Sequence, residues 1–408
     1  MRKITAPRFL LTTIVITAVI FASSCRKNAV TPNQQPIPKK ATIELIGQRE
    51  LKKNEFNSRA STVNGIDPNS IWSLLVSLVV DVYKVTYPTT DPDGNVVTAS
   101  GLLVIPKTDN TLSLVSFQNG TLFDKSQAPS NFSESSQLSY WIPLAAAMGY
   151  IVVVPDYIGY GTTANLEHPY QHASSLASST VDMIRAVKEL VQDPSANLHA
   201  KWNNKLFLAG YSEGGYATMA AHRLLQEHYP TEFNVTAASY GAGAYDITQT
   251  ATYFLSRNEV RDSFYIRSHV WVLLSFNRIY HENRPLNSFV NAPYDQELAT
   301  HPVYAAQLPT NPAVLMNPVF KANVLSGRDT AVLRRLAEND VYDWTPRSPV
   351  LLQHADLDGY VPIFNSDQAY ARFKSRGVNA TYIIIHGKNH PEAIPDFALN
   401  TLQYFSHY

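Results

Sequence analysis

Lys205-Leu206-Phe207-Leu208-Ala209-Gly210-Tyr211-Ser212-Glu213-Gly214-Gly215-Tyr216 is the stretch whose reading decides the fold of this chain. Residues 205–208 read as a strand, and from 214 to 227 the pattern is helical. Between them the spacing Gly-x-Ser-x-Gly demands a reversal so sharp that Ser212 takes a strained backbone conformation. Gly210 and Gly214 flank it because side chains at those positions would collide with the neighbouring strand and helix. The turn lifts the serine hydroxyl above the sheet at the N-terminus of a helix, whose dipole favours developing negative charge.

Working outward, residues 80–86 and 96–105 read as antiparallel strands joined by a turn that contains Asp93-Gly94, a strong hairpin signal. Strands at 112–117, 150–154 and 235–239 then alternate with helices at 134–148 and 176–191. That alternation predicts an α/β fold with a mostly parallel central sheet flanked by helices. It stops at Ile247. Up to Trp344 no clean strand is visible and helical stretches such as 270–279 and 330–338 dominate, so 247–344 is expected to be a helical cap inserted over the sheet. Alternation resumes with a strand at 350–353, a helix at 365–374, a strand at 381–385 and a helix at 392–405. The core is therefore expected in two parts, 46–246 with the serine and 345–408 behind the cap.

The N-terminus speaks to location. Arg2, Lys3 and Arg8 precede an apolar run, 9–22, and small residues lead to Cys25, the layout of a secretory signal peptide over residues 1–24. The run is about 14 residues, short of the roughly 20 that a spanning helix needs. Ala22-Ser23-Ser24-Cys25 resembles a bacterial lipobox, with Ala22 where Leu is usual, and Cys25 is the single cysteine of the chain. Lipidation of Cys25 would anchor an exported lipoprotein to a membrane. Residues 25–45, polar and rich in proline at their start, are expected to be its flexible tether.

Composition excludes other classes. Lys+Arg and Asp+Glu balance at 33 each among 408 residues, and no basic stripe interleaves with aromatics, so no nucleic-acid partner is expected. Hydrophobic residues make up 45%, enough for a large core, which must hold without any intrachain disulfide.

A serine hydroxyl is a weak nucleophile at neutral pH, so a base and a carboxylate that orients the base are required. After the strand at 350–353 come His354-Ala355-Asp356-Leu357-Asp358-Gly359-Tyr360-Val361-Pro362, and after the strand at 381–385 come His386-Gly387-Lys388-Asn389-His390. Asp356 and Asp358 compete for the acid, His386 and His390 for the base. A loop position farther past a strand end swings more readily toward a partner, which favours Asp358 and His390. Asp156 precedes the serine, out of order for the acid, and is read as structural. No metal or other cofactor is expected, since Asp356-Leu357-Asp358-Gly359 lacks the later ligands of a calcium loop.

The order Gly-x-Ser-x-Gly, then Asp-x-x-Val-Pro after a strand, then His beyond the last strand, resembles the α/β-hydrolases. Asn119-Gly120-Thr121 and Val154-Pro155-Asp156-Tyr157-Ile158-Gly159-Tyr160-Gly161 further resemble the secretory lipase branch, which usually has His-Gly-Thr where this chain has Asn119-Gly120-Thr121. The resemblance covers about residues 80–405 and implies Asp358 as acid and His390 as base. It also implies an oxyanion hole formed by the backbone N–H groups of Glu213 and Thr121.

The leading expectation is ester hydrolysis by Ser212, His390 and Asp358 through an acyl-enzyme, with a small-molecule ester or lipid as substrate. A peptidase similar to the prolyl oligopeptidases is the alternative within the fold, weakened by the short segment before the first hairpin. A non-catalytic surface binding protein is the alternative outside enzymes, but it would have no need of Ser, Asp and His in this order. Tyr253, Phe254, Phe264, Tyr265, Trp271, Phe276 and Tyr280 are expected mostly to pack the cap, with part of its apolar surface roofing a pocket above Ser212.

Overall fold

In a computed structural model, which describes residues 40–60, 68–133, 138–258 and 263–408, the strands are β1 (Thr42–Glu50), β2 (Val79–Thr90), β3 (Val96–Pro106), β4 (Thr111–Gln118), β5 (Tyr150–Pro155), β6 (Lys201–Tyr211), β7 (Val235–Gly241), β8 (Val350–Ala355) and β9 (Ala380–Ile385). They form one sheet in the order β1-β2-β3-β5-β4-β6-β7-β8-β9. Pairing is antiparallel from β1 to β5 and parallel from β5 to β9. The expected signal peptide and Cys25 lie outside the described residues, and among those described no helix is long and apolar enough to cross a membrane.

Two short helices, α1 (Lys53–Ala60) and α2 (Pro68–Trp72), follow β1, and α3 (Leu138–Ala147), α4 (Ala173–Gln192) and α5 (Glu213–His228) connect the strands that follow. Successive residues of a strand face opposite sides. In β6, Leu206 and Leu208 enter one core with Val181 and Ile184 of α4 and Leu225 of α5. Phe207 and Ala209 enter the other with Leu144 of α3. Because both faces are covered, the central strand reads as an unbroken apolar run rather than an alternating one.

The expected tether and the structure differ at their join. Thr42–Leu45, assigned to the tether, instead begin β1, in register with Thr86 to Tyr83 of β2. This edge strand is exposed on most positions, so it is held by main-chain pairing and carries no apolar pattern. Likewise β6 starts at Lys201, four residues before its apolar run, where Lys201 and Trp202 pair with Thr111 and Leu112.

Between β7 and β8 lie α6 (Ile247–Ser256), α7 (Ser263–Ile279), α8 (Tyr294–Thr300), α9 (Pro312–Leu315), α10 (Pro318–Leu325) and α11 (Thr330–Glu338). Phe254, Ile266, Trp271, Phe289, Leu315 and Phe320 give this helical segment a core of its own. After it, α12 (Phe364–Ser375) joins β8 to β9 and α13 (Ile394–Phe405) closes the chain. Phe373 of α12 joins the first core beside Tyr240 of β7, and Phe397 and Phe405 of α13 join the second beside Tyr211 and Phe207 of β6.

The two ends of the helical segment are fastened to each other. Val341 N–H donates to Tyr245 O at 2.9 Å, and Thr248 donates to Asp340 through its N–H at 3.0 Å and its hydroxyl at 2.8 Å. Burial pushes the Asp340 carboxyl up to about 7; the Thr248 hydrogen bond opposes this, and the nearby charge of Asp246 adds to it. An unfolded Asp releases its proton at about pH 4, so the folded chain binds the extra proton between about pH 4 and pH 7. Stability attributable to Asp340 is therefore full below about pH 4 and falls as pH rises through 7. Asp340→Asn is expected to raise Tm over the parent at about pH 8, with the gain shrinking toward zero at about pH 4. A gain of equal size at both pH values would show that ionisation of Asp340 is not its cause.

Candidate active site

β6 ends at Tyr211 and α5 begins at Glu213, which leaves Ser212 to turn the chain on its own. It does so at φ 61° and ψ −126°, a region that side-chain-bearing residues avoid, and its N–H is secured by Gly241 O at 2.9 Å. The turn closes only because its flanks lack side chains. A Cβ on Gly210 would lie 2.3 Å from Gly214 O, and one on Gly214 would lie 1.9 Å from Gln118 O at the end of β4. Although Ser212 is the N-cap of α5, its side chain caps no N–H. Its Oγ instead stands 2.8 Å from His390 Nε2, and His390 Nδ1 stands 2.5 Å from Asp358 Oδ2.

The strand ends dictate this meeting. β6, β7, β8 and β9 run parallel in register, so the loops after β8 and β9 leave the sheet on the same side as the Ser212 turn. Asp358 Oδ1 accepts from Tyr360 N–H at 2.9 Å and Val361 N–H at 2.8 Å, which explains the Asp-x-x-Val spacing. Its Oδ2 takes His390 and, at 3.2 Å, His354 Nε2. Burial of the side chain would by itself raise its pKa, but the electrostatic attraction of the adjoining His390 imidazole, which can carry a proton, and the hydrogen bonds from His354 and His390 outweigh it and hold the carboxyl well below the usual range. His390 is fixed as well: Tyr211 donates its hydroxyl to His390 O at 2.7 Å, and the Tyr360 ring meets the imidazole edge-on at 4.9 Å.

The competing pair goes elsewhere. Asp356 accepts from His386 Nδ1 and Gly387 N–H, both at 2.8 Å, with the His386 side chain 79% exposed. His354 is the residue that sequence reasoning did not single out. Its Nε2 also faces Val361 O at 2.9 Å, an acceptor only, so that nitrogen carries the proton and donates toward Asp358. Ser366 donates to its Nδ1 at 2.7 Å. Asp156 is fully buried, accepting from the Ser100 hydroxyl at 2.5 Å and Ser130 N–H at 2.8 Å, a structural position.

On the other side of Ser212, Glu213 opens α5, so no carbonyl of its own helix accepts its N–H. Gly120 packs against the same turn, where a Cβ would come 3.2 Å from Tyr211 O and 3.4 Å from Ser212 Cβ. The carbonyls of this loop are engaged: Tyr157 OH donates to Asn119 O at 3.2 Å, Asn119 Nδ2 to Gly120 O at 3.1 Å and Tyr160 OH to Leu122 O at 2.6 Å. Thr121 shares a hydrogen bond with Tyr170 OH at 2.9 Å. The two tyrosines belong to the 154–161 run, yet nothing in their spacing announced that they shape the 119–122 loop.

A cavity of about 610 Å³, counting its open mouth, reaches Ser212. Ile247, Ala251, Phe254 and Leu255 of α6 and Val272 and Leu273 of α7 form its apolar wall. Of the seven aromatics expected mostly to pack the cap, Phe254 lines this cavity. Trp271 lies in the core of the helical segment, stacked on Tyr170 at 4.7 Å, and Phe276 joins the main core.

Comparison with known proteins agrees with this architecture. The family model described as secretory lipase matches residues 134–405. A crystal structure from Legionella pneumophila, assigned as a hydrolase, superposes with a TM-score of 0.77 at 25% identity, covering 90% of this chain and 97% of that one. The rice cell wall degrading esterase LipA of Xanthomonas oryzae gives 0.70 at 23% identity, over 88% of this chain and 94% of its own. Candida antarctica lipase A gives 0.58 at 18% identity, over 85% and 77%. Among curated proteins none matches.

Proposed function

Because this chain belongs to the secretory lipase family, we propose that it hydrolyses carboxylic esters through an acyl-enzyme on Ser212, with His390 as general base and acid and Asp358 as its orienting carboxylate. The observation that carries this reading is the hydrogen-bonded sequence Ser212 Oγ to His390 Nε2 at 2.8 Å and His390 Nδ1 to Asp358 Oδ2 at 2.5 Å, set at the end of an apolar cavity. Asp358 accepts the hydrogen bond from His390 Nδ1–H, which leaves Nε2 with the lone pair that takes the serine proton. Attack on the ester carbonyl forms a tetrahedral oxyanion, which the backbone N–H groups of Glu213 and Thr121 stabilise. His390 then returns the proton to the leaving alcohol, and water repeats the sequence to release the acid.

Ser212→Ala is expected to lower kcat by about 10⁴ or more in a folded protein and to abolish labelling by a fluorophosphonate. Asp358→Asn should lower kcat by roughly 10³ to 10⁴ by fixing the wrong tautomer of His390, with Asp356→Asn costing far less. Persistent labelling of Ser212→Ala, or the reverse ranking of the two Asp variants, would overturn these roles.

The aliphatic wall supports an acyl-binding role for the cavity. Each buried CH₂ contributes about 0.8 kcal/mol, so kcat/KM should rise a few-fold per methylene from acetyl to a medium acyl chain and then level off as the cavity fills. Acetyl specificity, or cleavage of peptide amides with negligible esterase activity, would assign the cavity to a different substrate class.

The leader and Cys25 support export with a lipid anchor, residues 25 onward forming the mature chain. Several acyl chains anchor stably where one is marginal. Cys25→Ala should therefore move activity into the soluble fraction; partition into detergent equal to that of the parent would refute the anchor.

A further inference from the structure

Glu213, whose main-chain N–H faces the reacting carbonyl in the reading above, carries a carboxylate that is itself buried beside the site. Glu213 and His168 side chains are each 1% exposed, and His168 Nε2 lies 2.7 Å from Glu213 Oε1. The other ring nitrogen, Nδ1, lies 2.8 Å from Ile158 O. A carbonyl oxygen only accepts, so Nδ1 bears a hydrogen. Between Nε2 and Oε1 a further proton must sit, because two lone pairs at 2.7 Å would repel each other. The pair therefore holds two protons over its three facing positions and is neutral as a unit, whether written as imidazolium and carboxylate or as imidazole and carboxylic acid.

The surroundings supply no substitute for His168. Rings of Tyr157, Tyr160, Tyr170 and Trp271 lie 4.8 to 6.0 Å from its imidazole. Among the described residues His168 is the one ion-pair partner of Glu213. The position is also built for it: Gly159, at φ +93°, admits the His168 backbone, which a Cβ would meet at 2.6 Å. Without His168 a bare carboxylate would stand in a dry site, attached to the very residue whose N–H must stabilise an oxyanion, and like charges in such a medium repel strongly.

We propose that His168 is a positioning residue that acts through Glu213: it neutralises the Glu213 carboxylate and so preserves the affinity of the adjacent N–H for the transition-state oxyanion. The proposal rests on Ser212 being the nucleophile. It assigns the pair an electrostatic function in the transition state, where ground-state binding of the neutral ester is little affected, so its loss falls on kcat more than on KM.

A charge cycle separates this from a packing role. His168→Gln keeps a donor for Glu213 but leaves the negative charge, and is expected to lower kcat at least tenfold with KM changed less than threefold. Glu213→Gln in that background removes the charge, and the double variant should regain at least half of the logarithmic loss, although it carries one more buried substitution. Binding of an alkyl boronic acid, which forms an anionic tetrahedral adduct on the serine, should weaken and recover in parallel. A double variant as slow as His168→Gln, or slower, would overturn the proposal, as would equal losses in kcat and in 1/KM. Should His168→Gln not fold, His168→Asn makes the same charge change in a smaller side chain. Ser212→Ala serves as the independent arm: if it retains hydrolysis, the nucleophile assignment has failed, whereas loss of hydrolysis there without recovery in the cycle sinks the His168 proposal alone.

Discussion

The approach of α5 to the end of β4 governs the site. A side chain on Gly214 would fall 1.9 Å from Gln118 O, so helix and strand meet backbone to backbone. Thr218, one turn into α5, donates to Gln118 Oε1 at 2.8 Å, and Gln118 Nε2 reaches Ser116 Oγ at 2.7 Å, which locks the contact from the side chains as well. Only with that contact closed does the loop after β4 lie against the Ser212 turn, where a Cβ on Gly120 would come 3.2 Å from Tyr211 O, a few tenths of an ångström too close. The 119–122 loop is thereby set directly against the turn that carries Ser212 and leads into Glu213.

Rigidity of Asp358 and His390 follows from saturation of hydrogen bonds. Asp358 faces four donors, two from its own loop and two from histidines, and a buried carboxylate with all its lone pairs occupied has little freedom to rotate. His390 is held at its ring by Asp358 and Ser212 and at its carbonyl by Tyr211, the neighbour of Ser212 in sequence. The Ser212 hydroxyl and the His390 ring are therefore referenced to the same two residues of chain, which keeps their separation insensitive to motion elsewhere.

Much of this was legible in the chain, for identifiable reasons. The Ser212 turn shows in sequence because its glycines, its strand and its helix are all local. Asp358 stands out from Asp356 because two N–H groups at fixed offsets, Tyr360 and Val361, give its motif a spacing. β1 left no trace, since an exposed edge strand needs only a neighbour's backbone. His354 and His168 were equally silent, and Tyr157 and Tyr160 showed only as part of the 154–161 run, without their partners. Each is a buried polar side chain whose meaning lies in a partner 4 to 45 residues away in sequence, and tertiary contact rather than periodicity decides it. Aromatics between Ile247 and Trp344 were conspicuous in number, yet of these Phe254 alone lines the cavity, beside aliphatic residues of α6 and α7, because bulk alone does not reveal which face of a helix turns inward.

The fastening of Tyr245 to Val341 and of Thr248 to Asp340 brings the exit and return of a segment of nearly a hundred residues to adjacent points of the sheet. For a closed loop the entropy cost of closure grows only with the logarithm of its length. A segment anchored in this way is a cassette: shorter, longer or differently shaped inserts can be spliced between the same two points while the strands beneath keep their register. The Ser212 turn and the α6 and α7 residues that face it across the cavity then sit on separate pieces of the chain, so that one can be remodelled while the other is left as it is.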